Sequence, residues 1–400
     1  MIISKILFPT LNNSELTYLD SASTTQKPKV VLDAIQSHLS ELNVNPGRGS
    51  YDPTSKLEKE IESIRNQTAN FINAENKEIV FTSGATEGLN TVAYSWGLHN
   101  LEDGDEILLC EEDHESTVKP WFQIKKLFEK QGINIFIKYY KHHQYLGNAD
   151  LESIKNELTD KTRLIVVTHI HNVHGTVSDM KVIRKLAGDQ VLILLDACQS
   201  ISHIQIDVKE LDIDFLVFSG HKMFALDNIG VLFANQNINM YLQPFIVGGK
   251  NIIDKHDLEE KGVEIYKILE AGSQNVTGLK SLEAAINFIQ GIGYDEIHKY
   301  INELTKYLYE QLSQLGIIEF LAGYAFDQSR IGYGLISFRV HGVSSTDIGE
   351  LLNQHQIYVR TGNHCTSNGK HTSDSIRVSM HIYNSKDDID KLISVLKTIH

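Results

Sequence analysis

The sequence predicts an α/β fold: a mainly parallel, seven-stranded sheet flanked by helices, with a smaller α+β domain after it. Two patterns in the 400-residue chain carry this expectation. Short apolar runs alternate with amphipathic stretches through the middle of the chain, as in βαβ units whose strands are covered on both faces. After Gly278 the texture changes, and long helical periodicities replace the alternation. The length supports the division, because one hydrophobic core rarely serves so many residues.

In chain order, the strand-like runs are residues 78–82, Glu106–Cys110, 134–139, 163–167, 191–196, 215–218 and Gly230–Ala234. Helical spacing at 151–158 and 180–186 separates several of them. Further on, helices are expected at 279–289 and 294–315, a strand at Leu335–Val340, a helix at 347–353, a strand at Ser375–Ser379, and a closing helix from Lys386. This divides the chain into a large domain at 15–277 and a small one at 278–400, with residues 1–14 belonging to the latter.

With 42% hydrophobic and 22% charged residues, the chain can bury a substantial core. A formal charge of −14 argues against a nucleic-acid or anionic-membrane partner, since phosphates attract surplus Lys and Arg. No apolar run approaches the roughly 18 residues of a membrane span. The opening residues are too short and too weakly basic for a secretory signal. The three cysteines, Cys110, Cys198 and Cys365, are too few and odd in number for a disulfide framework. A cytoplasmic setting is therefore expected.

Ligands on parallel sheets bind beyond the carboxyl ends of the strands, which directs attention there. Gly84, Ala85 and Thr86 stand where the first run turns into a helix, and free amides there suit a phosphate, or simply an ordinary helix cap. Asp196 closes a strongly apolar run; a carboxylate so placed needs a cationic partner unless it only caps a turn. Ser219, His221 and Lys222 follow another run. Lys222 is either a solvated surface amine or, against an apolar wall, a nucleophile and base. Together these three strand ends offer a phosphate cup, a pyridinium partner and an amine able to form a Schiff base. Pyridoxal 5′-phosphate (PLP) needs all three. No metal ligands are expected.

The chain resembles the class V, fold-type I PLP enzymes, and among them the cysteine desulfurases, through nearly its whole length. Tyr18-Leu-Asp-Ser-Ala-Ser-Thr-Thr-Gln-Lys-Pro28 is similar to the family's opening segment, Asn45-Pro-Gly-Arg-Gly-Ser-Tyr51 to its Arg-Gly stretch, and residues 83–90 to its phosphate loop. His114 resembles the histidine that stacks on the cofactor ring. Asn172 and Gly175 resemble members of the Ser-Asn-Val-x-Gly-Thr element, and Asp196 with Gln199 matches Asp-x-x-Gln. The Ser-Gly-His-Lys and Glu-Ala-Gly-Thr-Pro-Asn motifs correspond to residues 219–222 and 270–275. By that resemblance Ser273 reaches the phosphate of the other subunit in a homodimer.

Val359-Arg-Thr-Gly-Asn-His-Cys365 resembles the Arg-x-Gly-x-His-Cys segment of the group II desulfurases. The resemblance implies that Cys365 takes sulfur from cysteine as a persulfide for an acceptor protein. It also implies that Asn172, Arg360 and Arg377 bind the substrate. Cys365 lies in a polar loop near Arg360, an electropositive setting of the kind that favours thiolates, whereas Cys110 and Cys198 end apolar runs. The sequence departs from the family at Ala85, at Gln274, in the stretch 224–230 that lacks Gly-Pro, and at His171 and His174, which bring extra imidazoles beside Asn172. These departures bear on substrate choice. They leave open a class V aminotransferase, an epimerase or another carbon–sulfur lyase of a specialised pathway.

Overall fold

The computed structural model describes residues 5–12, 15–47, 49–144, 146–249, 264–321, 332–368 and 372–399. Arg48, in the Arg-Gly stretch, lies outside the described residues, as do residues 1–4 and 13–14 of the N-terminal segment.

After β1 (Thr17–Tyr18), seven strands build the large sheet: β2 (Ile79–Thr82), β3 (Glu106–Cys110), β4 (Phe136–Tyr140), β5 (Thr162–Thr168), β6 (Leu192–Asp196), β7 (Phe215–Ser219) and β8 (Gly230–Ala234). Their order is β2-β8-β7-β6-β5-β3-β4. The pairings from β7 through β4 are parallel, and β8 alone runs antiparallel to its neighbours β2 and β7. The expected mainly parallel, seven-stranded α/β sheet is what forms. Every residue of β3, β7 and β8 is buried, which explains why these runs are apolar throughout rather than alternating. Successive side chains still serve opposite faces. In β6, Ile193 and Leu195 join one apolar core and Leu194 the other.

Helices Lys29–Glu41 and Val276–Ile292 pack on each other against the first core, and helix Ala85–Val92 lies on the opposite face over β7 and β8. Gly88 lets that last helix sit close: a Cβ there would come within 2.8 Å of Val217 Cγ1. The close fit carries the start of the helix to the strand ends of the sheet.

The smaller sheet contains β9 (Ile318–Phe320), β10 (Leu335–Val340), β12 (Arg360–Gly362) and β13 (Ser375–Ser379), while β11 (Ile357–Tyr358) pairs in parallel with β1. The smaller sheet is antiparallel in the order β12-β13-β10-β9. Its core joins Phe338, Ile376 and Val378 to Leu304, Leu308 and Leu312 of helix Tyr294–Ser313. Helix Val276–Ile292, by contrast, gives Leu279, Leu282 and Ile286 to the large core, and Phe8 and Leu11 lie there too. On this division of apolar contacts we propose that the large unit reaches to about Gly293 and also takes in residues 5–12, rather than ending at 277 with the N-terminal segment in the small unit. No helix among the described residues is long and apolar enough to cross a membrane.

Candidate active site

The carboxyl ends of β5, β6 and β7, the start of helix Ala85–Val92 and the β12–β13 loop enclose a cavity of about 200 Å³. Lys222 and Asp196 both line it. Asp196 is 6% exposed, and its Oδ1 accepts the Cys198 backbone N–H at 2.9 Å. No Lys, Arg or His among the described residues forms an ion pair with it, so this buried carboxylate still calls for a cation. Lys222 follows Ser219 and His221 in a single turn beyond β7.

At the helix start, Gly84 adopts φ +156°, ψ 175°, a conformation open essentially to glycine alone. A Cβ there would stand 3.3 Å from the Ser219 hydroxyl. The Ala85 N–H donates to Ser219 Oγ at 2.9 Å, which ties the helix start to the β7 end. The next amides of the first turn have no intrahelical acceptor, and with the Thr86 and Ser219 hydroxyls they make an anion cup. His221 beside it is held down to about 4, by burial first and then by Lys222, so its ring is neutral near pH 7.

His114 caps helix Glu115–Glu129, its Nδ1 lying 2.7 Å from Ser116 Oγ. That engagement leaves Nε2 as the ring atom available for proton exchange. Burial and the Lys222 charge hold His114 below the ordinary histidine range. Gln199 is fixed in the wall by donating Nε2–H to the Ala22 carbonyl at 2.8 Å. Asn172 donates to the His364 carbonyl at 3.1 Å. Four buried polar atoms of lining residues, Thr168 Oγ1, Asn172 Oδ1, His364 Nδ1 and Arg377 Nε, have no hydrogen-bond partner among the described residues, as befits a wall built for a polar ligand.

Arg377, on β13, is 2% exposed and reaches across to other segments: it donates to the Asn172 carbonyl at 3.0 Å, to Asp20 Oδ1 at 3.0 Å and to Ser23 Oγ at 2.7 Å. Arg360 donates through Nη1 to Ser23 Oγ at 3.1 Å and through Nη2 to Cys365 Sγ at 3.0 Å. Both guanidiniums line the cavity. Cys365 is half-buried, whereas burial pushes Cys198 up to about 12 and raises Cys110 as well. Of the three thiols, only Cys365 combines solvent access with a cation at its sulfur.

The cavity thus gathers Ala85, Thr86, His114, Asn172, Asp196, Gln199, Ser219, His221, Lys222, Arg360, Cys365 and Arg377. Gly84 shapes it from behind. Ser273 does not line it; this exposed serine borders a separate depression with Ser83, Asn228 and Ile246. Sequence reasoning missed Ser23, Thr168 and the Asp20–Arg377 pair. Thr168 ends β5, so the strand-end rule could have found it. The Asp20–Arg377 ion pair joins residues 357 apart and leaves no sequence signal.

The turn holding Asn172 depends on Gly175. Its φ is +65°, and a Cβ would approach the Leu335 carbonyl oxygen to 2.7 Å. Gly175→Ala should cost about 1–2 kcal/mol from the left-handed backbone alone, with the backbone collision adding to it. A thermal melt lowered by a few degrees is the expected result. An unchanged melt would show that the turn yields without cost.

The class-V aminotransferase family profile matches residues 17–392, and the chain belongs to that family. A probable cysteine desulfurase from Synechocystis is 35% identical over 98% of this chain and 93% of its own length. Among solved structures, the apo cysteine desulfurase of Thermococcus onnurineus superposes with a TM-score of 0.88 at 29% identity, covering 99% of this chain and 96% of that one. The cysteine desulfurase CsdA of Escherichia coli, in an S-sulfonic acid form, gives 0.85 at 27% identity, with coverages of 98% and 96%.

Proposed function

We infer that the chain is a PLP-dependent cysteine desulfurase that converts L-cysteine to L-alanine and leaves a persulfide on Cys365. The observation that carries this is the meeting of Lys222, Asp196 and an Arg360-paired thiol in one cavity. PLP fits the wall: the cup at Gly84, Ala85, Thr86, Ser219 and His221 suits its phosphate, Asp196 its pyridinium, and Lys222 its aldehyde. When bound, the cofactor supplies an electron sink that weakens bonds at the substrate's α and β carbons.

The chain's own residues do the rest. Arg360 and Arg377 take the substrate carboxylate, with Asn172 beside them. Lys222 Nζ removes the α-proton, and His114 Nε2 is placed to return a proton as product forms. Cys365 Sγ bonds to the substrate sulfur as the Cβ–S bond breaks, so cysteine and one thiol become alanine and one persulfide. An aminotransferase or epimerase would need no thiol at that position; Cys365 therefore favours desulfuration over those two readings.

Ser273 supports a homodimer. It shares a depression with Ile246, which lies in the exposed apolar run 245–247 of the kind that seeks a partner surface, and the partner subunit's Ser273 would complete the phosphate cup. A sulfur-acceptor protein is the expected recipient of the persulfide. Three unpaired cysteines fit a reducing cytoplasm. Incubation of the purified protein with L-cysteine should yield alanine and a sulfur adduct mapped to residue 365. Keto acid or D-amino acid in place of alanine would overturn the reading.

A further inference from the structure

Five side chains of metal-binding chemistry meet beside the catalytic cavity: Cys110, Asp113, His142, His171 and His174. They come from the carboxyl ends of three neighbouring strands. Cys110 ends β3, Asp113 lies on the following turn, His142 lies just past β4, and His171 and His174 occupy the turn after β5. Donor atoms of His142, His171 and His174 all lie within 4.8 Å of one another, and so do those of Cys110, Asp113 and His142. His142 Nε2 is 3.1 Å from Asp113 Oδ1, and His171 Nε2 is 3.8 Å from the same oxygen. Metal bonds of about 2.0–2.1 Å at tetrahedral angles put neighbouring donors roughly 3.3 Å apart, so the His142–Asp113 spacing is close to such an edge and the His171–Asp113 spacing is wider.

The second observation is the state of the carboxylate. Asp113 is 1% exposed, and neither of its oxygens has an aligned hydrogen bond among the described residues. Buried carboxylates need a cation; among the described residues a protonated His142, which also faces Glu112 at 3.2 Å, is the one that meets Asp113 when no metal ion is bound. Three imidazoles crowd the same point: the His142 and His171 rings are 4.4 Å apart, and those of His171 and His174 are 4.7 Å apart and stacked. Gly147 closes the turn after β4 onto this group, since a Cβ there would come within 2.7 Å of the His174 side chain. The polypeptide is packed tightly around these donors.

We propose that this cluster binds one divalent transition-metal ion of the zinc class, with His142, His171 and His174 as ligands and the Asp113 carboxylate and Cys110 thiol adjoining His142. Imidazole donors in a compact set suit such an ion, and calcium or magnesium would want oxygen donors instead. The site lies one residue from His114 and one from Asn172. A bound ion therefore pins the two turns that carry these groups, acting on the catalytic cavity by position and without touching substrate.

The test uses the holoenzyme, stripped with a chelator, gel-filtered, and reloaded with Zn²⁺ or titrated with Co²⁺. One Zn²⁺ retained per chain is expected, with Co²⁺ giving tetrahedral ligand-field absorption to the red of the cofactor band. Zn²⁺ should raise the melting temperature of the parent. His142→Ala and His174→Gln should each weaken retention at least tenfold and remove that rise; the second replacement keeps a polar side chain should the first fail to fold. Cys365→Ala should bind as the parent does. No stoichiometric ion in the parent, parent-like affinity in both histidine variants, or loss of binding on Cys365→Ala would each overturn the proposal.

Discussion

Lys222→Ala is expected to abolish turnover of L-cysteine, with a fall of about 10³-fold or more, because one side chain performs two tasks. Its amine would anchor the cofactor aldehyde between cycles and, once substrate releases it, act as the base at the α-carbon. Neither task has a substitute nearby. The neighbouring His221 and His114 carry imidazoles and not the primary amine that the anchor requires, and His114 Nε2 is already assigned the return of the proton. Cofactor binding should weaken without vanishing, since the helix start, Ser219 and Asp196 remain. The clean readout is borohydride treatment followed by peptide mapping: the parent should carry a reduced cofactor adduct on the peptide containing residue 222, and the variant none. A variant that retains the adduct, or turns over at the parent rate, would remove the foundation of the mechanism.

How much of this could be read from the sequence follows from the physics of each element. Strands buried on both faces advertise themselves, and β3, β8, β10 and β13 match their expected limits residue for residue. Helices Lys29–Glu41, Asp52–Phe71 and Glu115–Glu129 gave no comparable signal. The second is strongly polar, and Pro120 interrupts the pattern of the third. Strands β9, β11 and β12 are two or three residues long and exist only through their neighbours. The site was legible where one residue ends one strand, as with Asp196 and Lys222. It was opaque where distant segments cooperate. His171 and His174 drew notice as departures beside Asn172, yet His142 and Asp113, which turn them into a cluster, lie 29 and 58 positions before His171 (171 − 142 and 171 − 113). No local pattern links them; the sheet order β5-β3-β4 does.

Cys365→Ala should separate cofactor chemistry from sulfur transfer. The thiol touches none of the groups in the phosphate cup, so the variant should keep its yellow colour and still respond spectrally to L-cysteine. Alanine formation should fall by about 10³-fold or more, because a nucleophile has been removed and the neighbouring side chains offer no replacement: Cys198 is buried and held up to about 12. The loss should appear in kcat with little change in KM, since Arg360 and Arg377 still grip the carboxylate. The loop's construction sharpens this expectation. His364 and Cys365 both adopt left-handed backbone, φ +53° and +59°, a costly pair for residues other than glycine. The strain is held by ties to the His114 turn: Glu115 N–H donates to the Cys365 carbonyl at 3.0 Å, and Ser367 N–H to the Asp113 carbonyl at 2.9 Å. Those ties use backbone atoms, which alanine retains, so the loop should stay in place and the defect should be chemical. Sulfide or alanine released at the parent rate by this variant would mean that the substrate's sulfur leaves by another route, and the persulfide assignment would fall while the cofactor assignment stood.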